Sequence, residues 1–379
     1  MNYAQAIDEI FSQFEGPKFS IKLWDEGERF YGKTEPKAFT LFIKDPRTAK
    51  RLLTQGSLGF GESYMEGATR IEGDIEAYLR LRHQSKRIQP SLQLTLITLM
   101  ARMSTPHTRK NQITYHYDLG NDFFGMFLDR ETMSYSAGRY ESGSESLDAA
   151  QKNKLKFIGE WLDLPEGSSV LDLGSGWGGF AKYAAERFHW QMLGYSLSDA
   201  QLNFCRELVR ESHLEKRISF EERDMVTNLP DREFDGVTMI ESIEHVGQKR
   251  LAPFLQDVKR SLRPGSPFVI QTTGRYVPRH LDRWTQKYVF PGGYLPTKDD
   301  LYTAAAQAGL LVEEFRDDTP DYMRTMSMWI KNLEEHRADI ENKFGEPFYR
   351  LWYLWMHGAR VNFEIEVMSL FRLRLRRPR

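Results

Sequence analysis

The amino-acid sequence predicts an α/β protein built on a doubly wound parallel sheet, with a smaller α+β domain ahead of it. Three observations carry this expectation. From about Leu147 short apolar runs alternate with amphipathic stretches, the strand–helix–strand rhythm of a parallel sheet. The first such run, Val170-Leu171-Asp172-Leu173, leads straight into a glycine-rich turn. Before Leu92 the apolar residues alternate singly instead, as they do in half-buried strands.

In chain order, Phe19-Ile21-Leu23 and Phe39-Leu41-Ile43 read as strands, and Pro46 to Leu53 as a helix that ends at Gln55-Gly56-Ser57. These belong to an expected N-terminal domain, residues 1–92. A linker over 93–110 opens with an apolar helix, Leu92 to Met103, and closes in the polar Ser104-Thr105-Pro106-His107. The larger domain takes residues 111–379. Its expected elements are strand Val170–Leu173, helix Phe180–Phe188, strand Gln191–Tyr195, helix Asp199–Ser212, and strands Ile218–Glu221, Phe234–Ile240 and Pro267–Thr273. From about Lys298 the chain reads as mainly helical and rich in Trp, Phe and Tyr.

Composition narrows the function classes. Of 379 residues, 40% are hydrophobic and 28% charged, as in folded domains, and a net charge of -1 supplies no basic field for nucleic acid. One basic tract stands out: Arg372, Arg374, Arg376, Arg377 and Arg379. It reads either as a solvated tail or as an attraction to anionic lipid head groups, at roughly 1 kcal/mol per basic residue. The single cysteine, Cys205, rules out an internal disulfide and a metal–thiolate cluster, which fits a reducing compartment. It falls in an amphipathic pattern with Ala200, Phe204 and Leu208, and so reads as packing; no metal site is expected. Met1 to Phe11 carries Asp8 and Glu9 and lacks the pattern of a signal peptide, and no run of about 18 apolar residues occurs. The expected location is cytoplasmic, with any membrane contact peripheral, at the inner face.

The most informative local motif is Asp172-Leu173-Gly174-Ser175-Gly176-Trp177-Gly178-Gly179. A strand delivers an acid, and a glycine turn then opens a helix. Glycine serves where backbone must take positive φ or pass close to a ligand. Dinucleotide sites favour G-x-G-x-x-G with a helix N-terminus free for pyrophosphate. Here the spacing is G-x-G-x-G-G, and Asp172 would repel phosphate. A carboxylate suits the ammonium of S-adenosylmethionine, which makes the sheet that of a class I methyltransferase. Ser196, Leu197 and Gln201 follow the second strand, where the ribose would lie; a dehydrogenase usually has an acid there. Asp224, with Met225, follows the third strand and either binds the adenine amino group or caps a helix.

Three further segments are unusual: Gly56-Ser57-Leu58-Gly59-Phe60-Gly61-Glu62-Ser63-Tyr64-Met65-Glu66-Gly67, Tyr115-His116-Tyr117-Asp118-Leu119-Gly120-Asn121-Asp122-Phe123-Phe124, and Ile243-Glu244-His245-Val246-Gly247. With Met133-Ser134-Tyr135-Ser136 and Tyr288-Val289-Phe290-Pro291-Gly292-Gly293, the chain resembles the cyclopropane-fatty-acyl-phospholipid synthase family over nearly its whole length. The resemblance implies helical lipid-binding additions to the sheet, an unsaturated phospholipid as membrane partner, and Tyr135 and Ser136 beside the cofactor; it leaves a homodimer open. It also implies the chemistry. An alkene attacks the sulfonium methyl, a cation forms on the chain, and a base removes a proton from the new methyl group so that a ring closes. Aromatic faces stabilise such a cation by roughly 0.5–2 kcal/mol. Phe348, Trp352, Trp355, Tyr349, Tyr353 and Met356 offer such a surface, or form a helix buried on all sides.

In that family the base is a bound bicarbonate. The positions that would hold it here are Ala137, through its N–H, Glu244, Gln271, Thr273 and Tyr322. Gln271 stands where the family has histidine and Ala137 where it has cysteine, so the pocket is altered. Glu241 stands where a small residue is usual, and its carboxylate either takes the role of the bicarbonate or faces solvent. Two carboxylates at one site would raise one pKa, which suits a base. His116 and Tyr322 are the next candidates for that base. The expected activity is cyclopropanation of phospholipid acyl chains; the alternative is a methyl- or methylene-branched product from the same alkene.

Overall fold

The computed structural model of the chain describes residues 2–25, 27–84, 91, 95 and 120–379. Most of Leu92 to Met103, most of the 93–110 linker, and His116 lie outside them. The chain divides into two compact units. The first comprises Met1–Thr114, Asp282–Pro291 and Arg337–Val361; the second comprises Tyr115–Leu281, Gly292–His336 and Asn362–Arg379.

In the first unit the single alternation of apolar residues forms strands, as expected. β1 (Pro17–Lys22), β2 (Glu28–Tyr31), β3 (Thr34–Ile43) and β4 (Thr69–Gly73) make a sheet in the order β2-β1-β3-β4. Phe19, Ile21, Phe39, Leu41 and Ile43 all lie on its buried face against Ile7, Ala49 and Leu81. Asp45 caps helix Pro46–Gln55 by accepting from the Thr48 N–H at 2.7 Å. Gly56 ends it at φ 57°, and the rest of the Gly56–Gly67 segment is a second helix, Ser57–Met65. Gly61 is needed by close approach: a Cβ there would fall 2.2 Å from Trp284 Cδ1.

In the second unit, β5 (Ser169–Leu173), β6 (Gln191–Ser196), β7 (Ile218–Glu222), β8 (Gly236–Ile240), β9 (Pro267–Gly274), β10 (Leu311–Asp317) and β11 (Ser369–Arg376) form one sheet, ordered β10-β11-β9-β8-β5-β6-β7. Its five central and distal strands are parallel, with helices Gly179–Arg187, Asp199–Glu211 and Leu251–Arg260 among the crossovers. β11 runs antiparallel between β9 and β10, so the sheet is mixed at one edge. Cys205 is fully buried, as packing predicts.

The structure corrects the reading of the basic tract. The residues from Ser369 to Arg376 are neither a frayed tail nor a free cationic patch but an inner strand. Arg372 is fully buried; it donates to Gln271 Oε1 at 2.8 Å, Asp318 Oδ2 at 2.5 Å, Asp321 Oδ2 at 2.9 Å and the Gly138 carbonyl at 3.0 Å. Arg374 and Arg376 share Glu313, and Arg377 pairs with Glu233. The mainly helical tail expected after Lys298 also contains β10 and β11.

A buried ion pair that loses one partner leaves the other charge uncompensated, at a cost of about 3–5 kcal/mol. Arg372→Ala is therefore expected to lower unfolding stability by about that amount in urea titration. Arg210→Ala, which removes an exposed helix pair with Glu207, should cost about 0.5 kcal/mol or less. Similar losses in both variants would contradict the role given to Arg372.

Candidate active site

Chain direction across the sheet reverses beside β5: β6 lies on one side, and β8 on the other. In open α/β sheets ligands bind at this switch point, outside the carboxyl ends of the strands. Both key segments emerge there. The glycine turn follows β5, with Gly174 at φ 84° and Gly176 at φ 54°. Asp172 is buried and accepts from Thr238 Oγ1 of β8 at 2.8 Å; burial pushes its carboxyl up to about 6, against the pull of Thr238. Ser242 Oγ ties the two strand ends by donating to the Leu173 carbonyl at 2.7 Å.

The two glycines have different reasons. A Cβ on Gly174 would lie 2.5 Å from Ser242 Cβ, so packing alone demands glycine. A Cβ on Gly176 meets no atom within 4 Å; its free face is a cradle open to a ligand. At the end of β6, Ser196 Oγ pairs with Gln201 Oε1 at 2.9 Å, and Leu197 is a large apolar side chain left 66% exposed. After β7, Asp224 accepts from the Val226 N–H at 2.9 Å and Thr227 Oγ1 at 2.8 Å, so it caps a turn rather than a helix. Met225 packs on the core behind it. The acid, the open glycine face and the exposed Leu197 beside Ser196 fit an amino-acid nucleoside such as S-adenosylmethionine. Tyr135 stacks on Trp329 with centroids 5.4 Å apart, and Ser136 is buried.

The residues expected to hold an anion do converge, but on a side chain. Glu241 follows β8; its N–H extends the ladder to the Gln271 carbonyl at 2.7 Å, and its φ of 51° then turns the chain. Its Oε1 accepts from the Ala137 N–H and Gln271 Nε2, each at 2.8 Å, and its Oε2 accepts from the Tyr322 hydroxyl at 2.6 Å. Ala137, Gln271 and Tyr322 are three of the five positions expected to hold bicarbonate. The residues therefore do not fit that ion, and of the two readings of Glu241 the solvent-facing one is corrected.

Glu244 is held apart from that set. Its Oε1 accepts from Thr272 Oγ1 at 2.7 Å and the Thr273 N–H at 2.8 Å; its Oε2 is buried without a hydrogen-bond partner. Thr273 thus contributes backbone, and the hydroxyl belongs to Thr272, which sequence reasoning missed. Burial, then the Glu241 charge, pushes Glu244 up to about 8. Burial also raises Glu241, but Tyr322, the Ala137 N–H, Gln271 and the Lys154 ammonium all pull it down. With three donors on Glu241 and an orphaned oxygen on Glu244, a proton shared by the two favours Glu244, the group pushed up to about 8. Burial and the Glu241 charge keep Tyr322 protonated as a donor.

An aromatic wall continues from Tyr322. Its ring stacks on Phe363 at 4.4 Å and meets Trp329 edge-on at 6.2 Å. Tyr322 and Trp329, seven apart on helix Thr319–Glu335, share a face, a spacing that would have revealed the pair. The stretch from Phe348 to Met356 lies instead in the first unit, where Tyr349, Trp352 and Met356 are buried.

Residues 104–373 match the family described as mycolic acid cyclopropane synthetase, and residues 6–88 match a domain of unknown function. The chain belongs to the cyclopropane synthase family. It is 30% identical to the cyclopropane-fatty-acyl-phospholipid synthase of Escherichia coli (strain K12), over 87% of this chain and 86% of that one. It is also 30% identical to a tuberculostearic acid methyltransferase of Mycobacterium tuberculosis, over 90% of this chain and 84% of that one. Among solved structures, the mycolic acid cyclopropane synthase CmaA1 complexed with SAH and CTAB superposes with a TM-score of 0.65 at 25% identity, covering 72% of this chain and 99% of that one. This member of the family is an S-adenosylmethionine-dependent methyltransferase that modifies lipid acyl chains.

Two outcomes follow for this cyclopropane synthase relative. Gly176→Asn keeps the left-handed turn, which asparagine tolerates, and puts a side chain in the open cradle. Calorimetry should show S-adenosylhomocysteine affinity falling at least about tenfold while the circular dichroism spectrum is kept; undiminished affinity would remove the cradle from the cofactor site. The second concerns pH. Glu244 titrates near 8 when folded, against 4.5 as its ordinary value. Its stabilising contribution is complete below the unfolded pKa and is lost as pH rises through the folded one. Between pH 5 and about 8 the unaltered protein should lose stability relative to Glu244→Gln. Parallel stability–pH curves would contradict the assignment of the proton.

Proposed function

We propose that this enzyme cyclopropanates cis double bonds in phospholipid acyl chains, with residues 111–379 as its catalytic part and Glu241 as its base. When bound, S-adenosylmethionine supplies the electrophilic methyl group. Asp172 and the glycine turn orient it, with Ser196, Gln201 and Leu197 along the nucleoside. The aromatic faces of Tyr322, Trp329 and Tyr135 tolerate the cation on the acyl chain without trapping it. Glu241 then takes a proton from the transferred methyl group, and that C–H pair closes the ring. The observation that carries this reading is the Glu241 carboxylate itself, held by donors from three separate elements. A base already aimed and kept out of bulk water is what this step needs.

A second reading is loss of a proton from a neighbouring carbon, which leaves a methyl-branched chain. The tuberculostearic acid methyltransferase, as similar to this chain as the cyclopropane synthase, supports keeping it. Either substrate lies in a bilayer. No helix of the described residues is long and apolar enough to cross a membrane; the proposed contact is peripheral, at the inner face, and made by residues other than the strand arginines Arg372, Arg374 and Arg376.

Glu241→Gln is expected to lower kcat by about 10²–10⁴-fold, the usual worth of a positioned base, and Glu244→Gln by much less. Vesicles of unsaturated phospholipid and a cofactor with a CD3 methyl identify the product by mass together with its double-bond reactivity. Ring closure retains two deuterium atoms and consumes the double bond. Three retained deuteriums, or two with a double bond still present, would favour a branched product, and equal, small losses in the two variants would place the base elsewhere.

A further inference from the structure

Helix Leu147–Leu162 carries a lysine with no place in the chemistry above. Lys154 is 1% exposed. Its Nζ donates to a neutral group, Ser136 Oγ, at 2.8 Å. Among the described residues no carboxylate oxygen forms an ion pair with it within 4.0 Å. A buried ammonium is costly, and a hydroxyl does not neutralise it. The compensation comes from around it. Asp129 faces it from the turn after helix Gly120–Gly125, Asp172 from β5, and Glu241 from the end of β8; Arg372 of β11 opposes them.

The hydroxyl partner is also informative. One turn earlier on the same face, Gln151 Nε2 donates to the Ser136 carbonyl at 2.8 Å. Lys154 and Gln151 therefore grip Ser136 by side chain and backbone. The next residue is Ala137, whose N–H donates to Glu241. One helix face thus sets both the direction of a donor to Glu241 and a buried positive charge that acts on it.

We propose that Lys154 is a positioning residue for the base: through Ser136 it aims the Ala137 N–H, and its ammonium is the counter-charge that keeps Glu241 ionised. This rests on Glu241 acting as the base. Burial lowers Lys154 to about 8, while Asp129, Glu241 and Asp172 hold it up, so it is still mostly charged at pH 7. Loss of the ammonium raises the Glu241 pKa. Because the base must be unprotonated, the acid limb of the kcat profile then moves to higher pH.

The test compares kcat–pH profiles of Lys154→Gln, Lys154→Met, Glu241→Gln and the double variant Lys154→Gln/Glu241→Gln on phospholipid vesicles. Near-UV circular dichroism checks the fold. Both lysine variants should lose about threefold in kcat at pH 7, recover as pH rises, and show an acid limb shifted up by about one unit, with lipid KM little changed. In the Glu241→Gln background the lysine change should add almost nothing. A loss of kcat with an unshifted limb, or additive losses, overturns the proposal while leaving Glu241 as base. A small effect of Glu241→Gln alone overturns the reading of the base instead. If the lysine variants do not fold, infrared difference spectra between the unaltered protein and Glu241→Gln decide. An ionised-carboxylate band present at pH 7 and perturbed near pH 8 supports the coupling, and absence of that band or of the perturbation overturns it.

Discussion

A carboxylate leaves water only if other donors replace the water it loses. At Glu241 this constraint organises the catalytic unit. Its oxygens take one donor from the segment before helix Leu147–Leu162, one from β9 and one from helix Thr319–Glu335. Each donor is fixed in turn. The amide of Gln271 can present its NH2 only one way round, because Arg372 donates to its oxygen. Arg372 can be buried only because Asp318 and Asp321 meet its charge. The inner strand β11, the start of helix Thr319–Glu335 and the end of β8 are thereby bound into one polar network.

That network separates two neighbouring carboxyl groups by environment. Glu241 has three donors and a nearby ammonium; Glu244 has two donors on one oxygen and none on the other. A shared proton favours the poorly solvated group, Glu244, over the one with three donors. On the neighbouring strand, the glycine turn after β5 presents an open backbone face at Gly176. In the proposed reaction the methyl donor lies there, and Glu241, at the end of the adjacent strand, accepts the proton.

Much of this was legible in sequence. The strand and acid at Val170 to Asp172, the glycine turn and the later parallel strands follow from period and spacing, and Ala137, Gln271, Tyr322 and Glu241 could all be named. Their convergence could not. It depends on the left-handed backbone at Glu241, a conformation that the residue type does not announce. Thr272 was not legible, because which threonine supplies a hydroxyl depends on where the Glu244 side chain lies and not on spacing. The misreading of the arginines had a visible remedy. Phe371-Arg372-Leu373-Arg374-Leu375-Arg376 alternates strictly, the signature of a strand, and charge drew attention from period. Lys154 gave no signal, since a lysine on a helix is ordinarily solvated.

The central claim is that a side chain has taken the place of a dissolved anion. Turnover on unsaturated phospholipid vesicles in carbon-dioxide-free buffer, before and after addition of bicarbonate, tests it most directly. The account predicts the same rate in both, because the donors that would bind the ion hold Glu241. A several-fold stimulation by bicarbonate would contradict it and return the proton-accepting role to the ion.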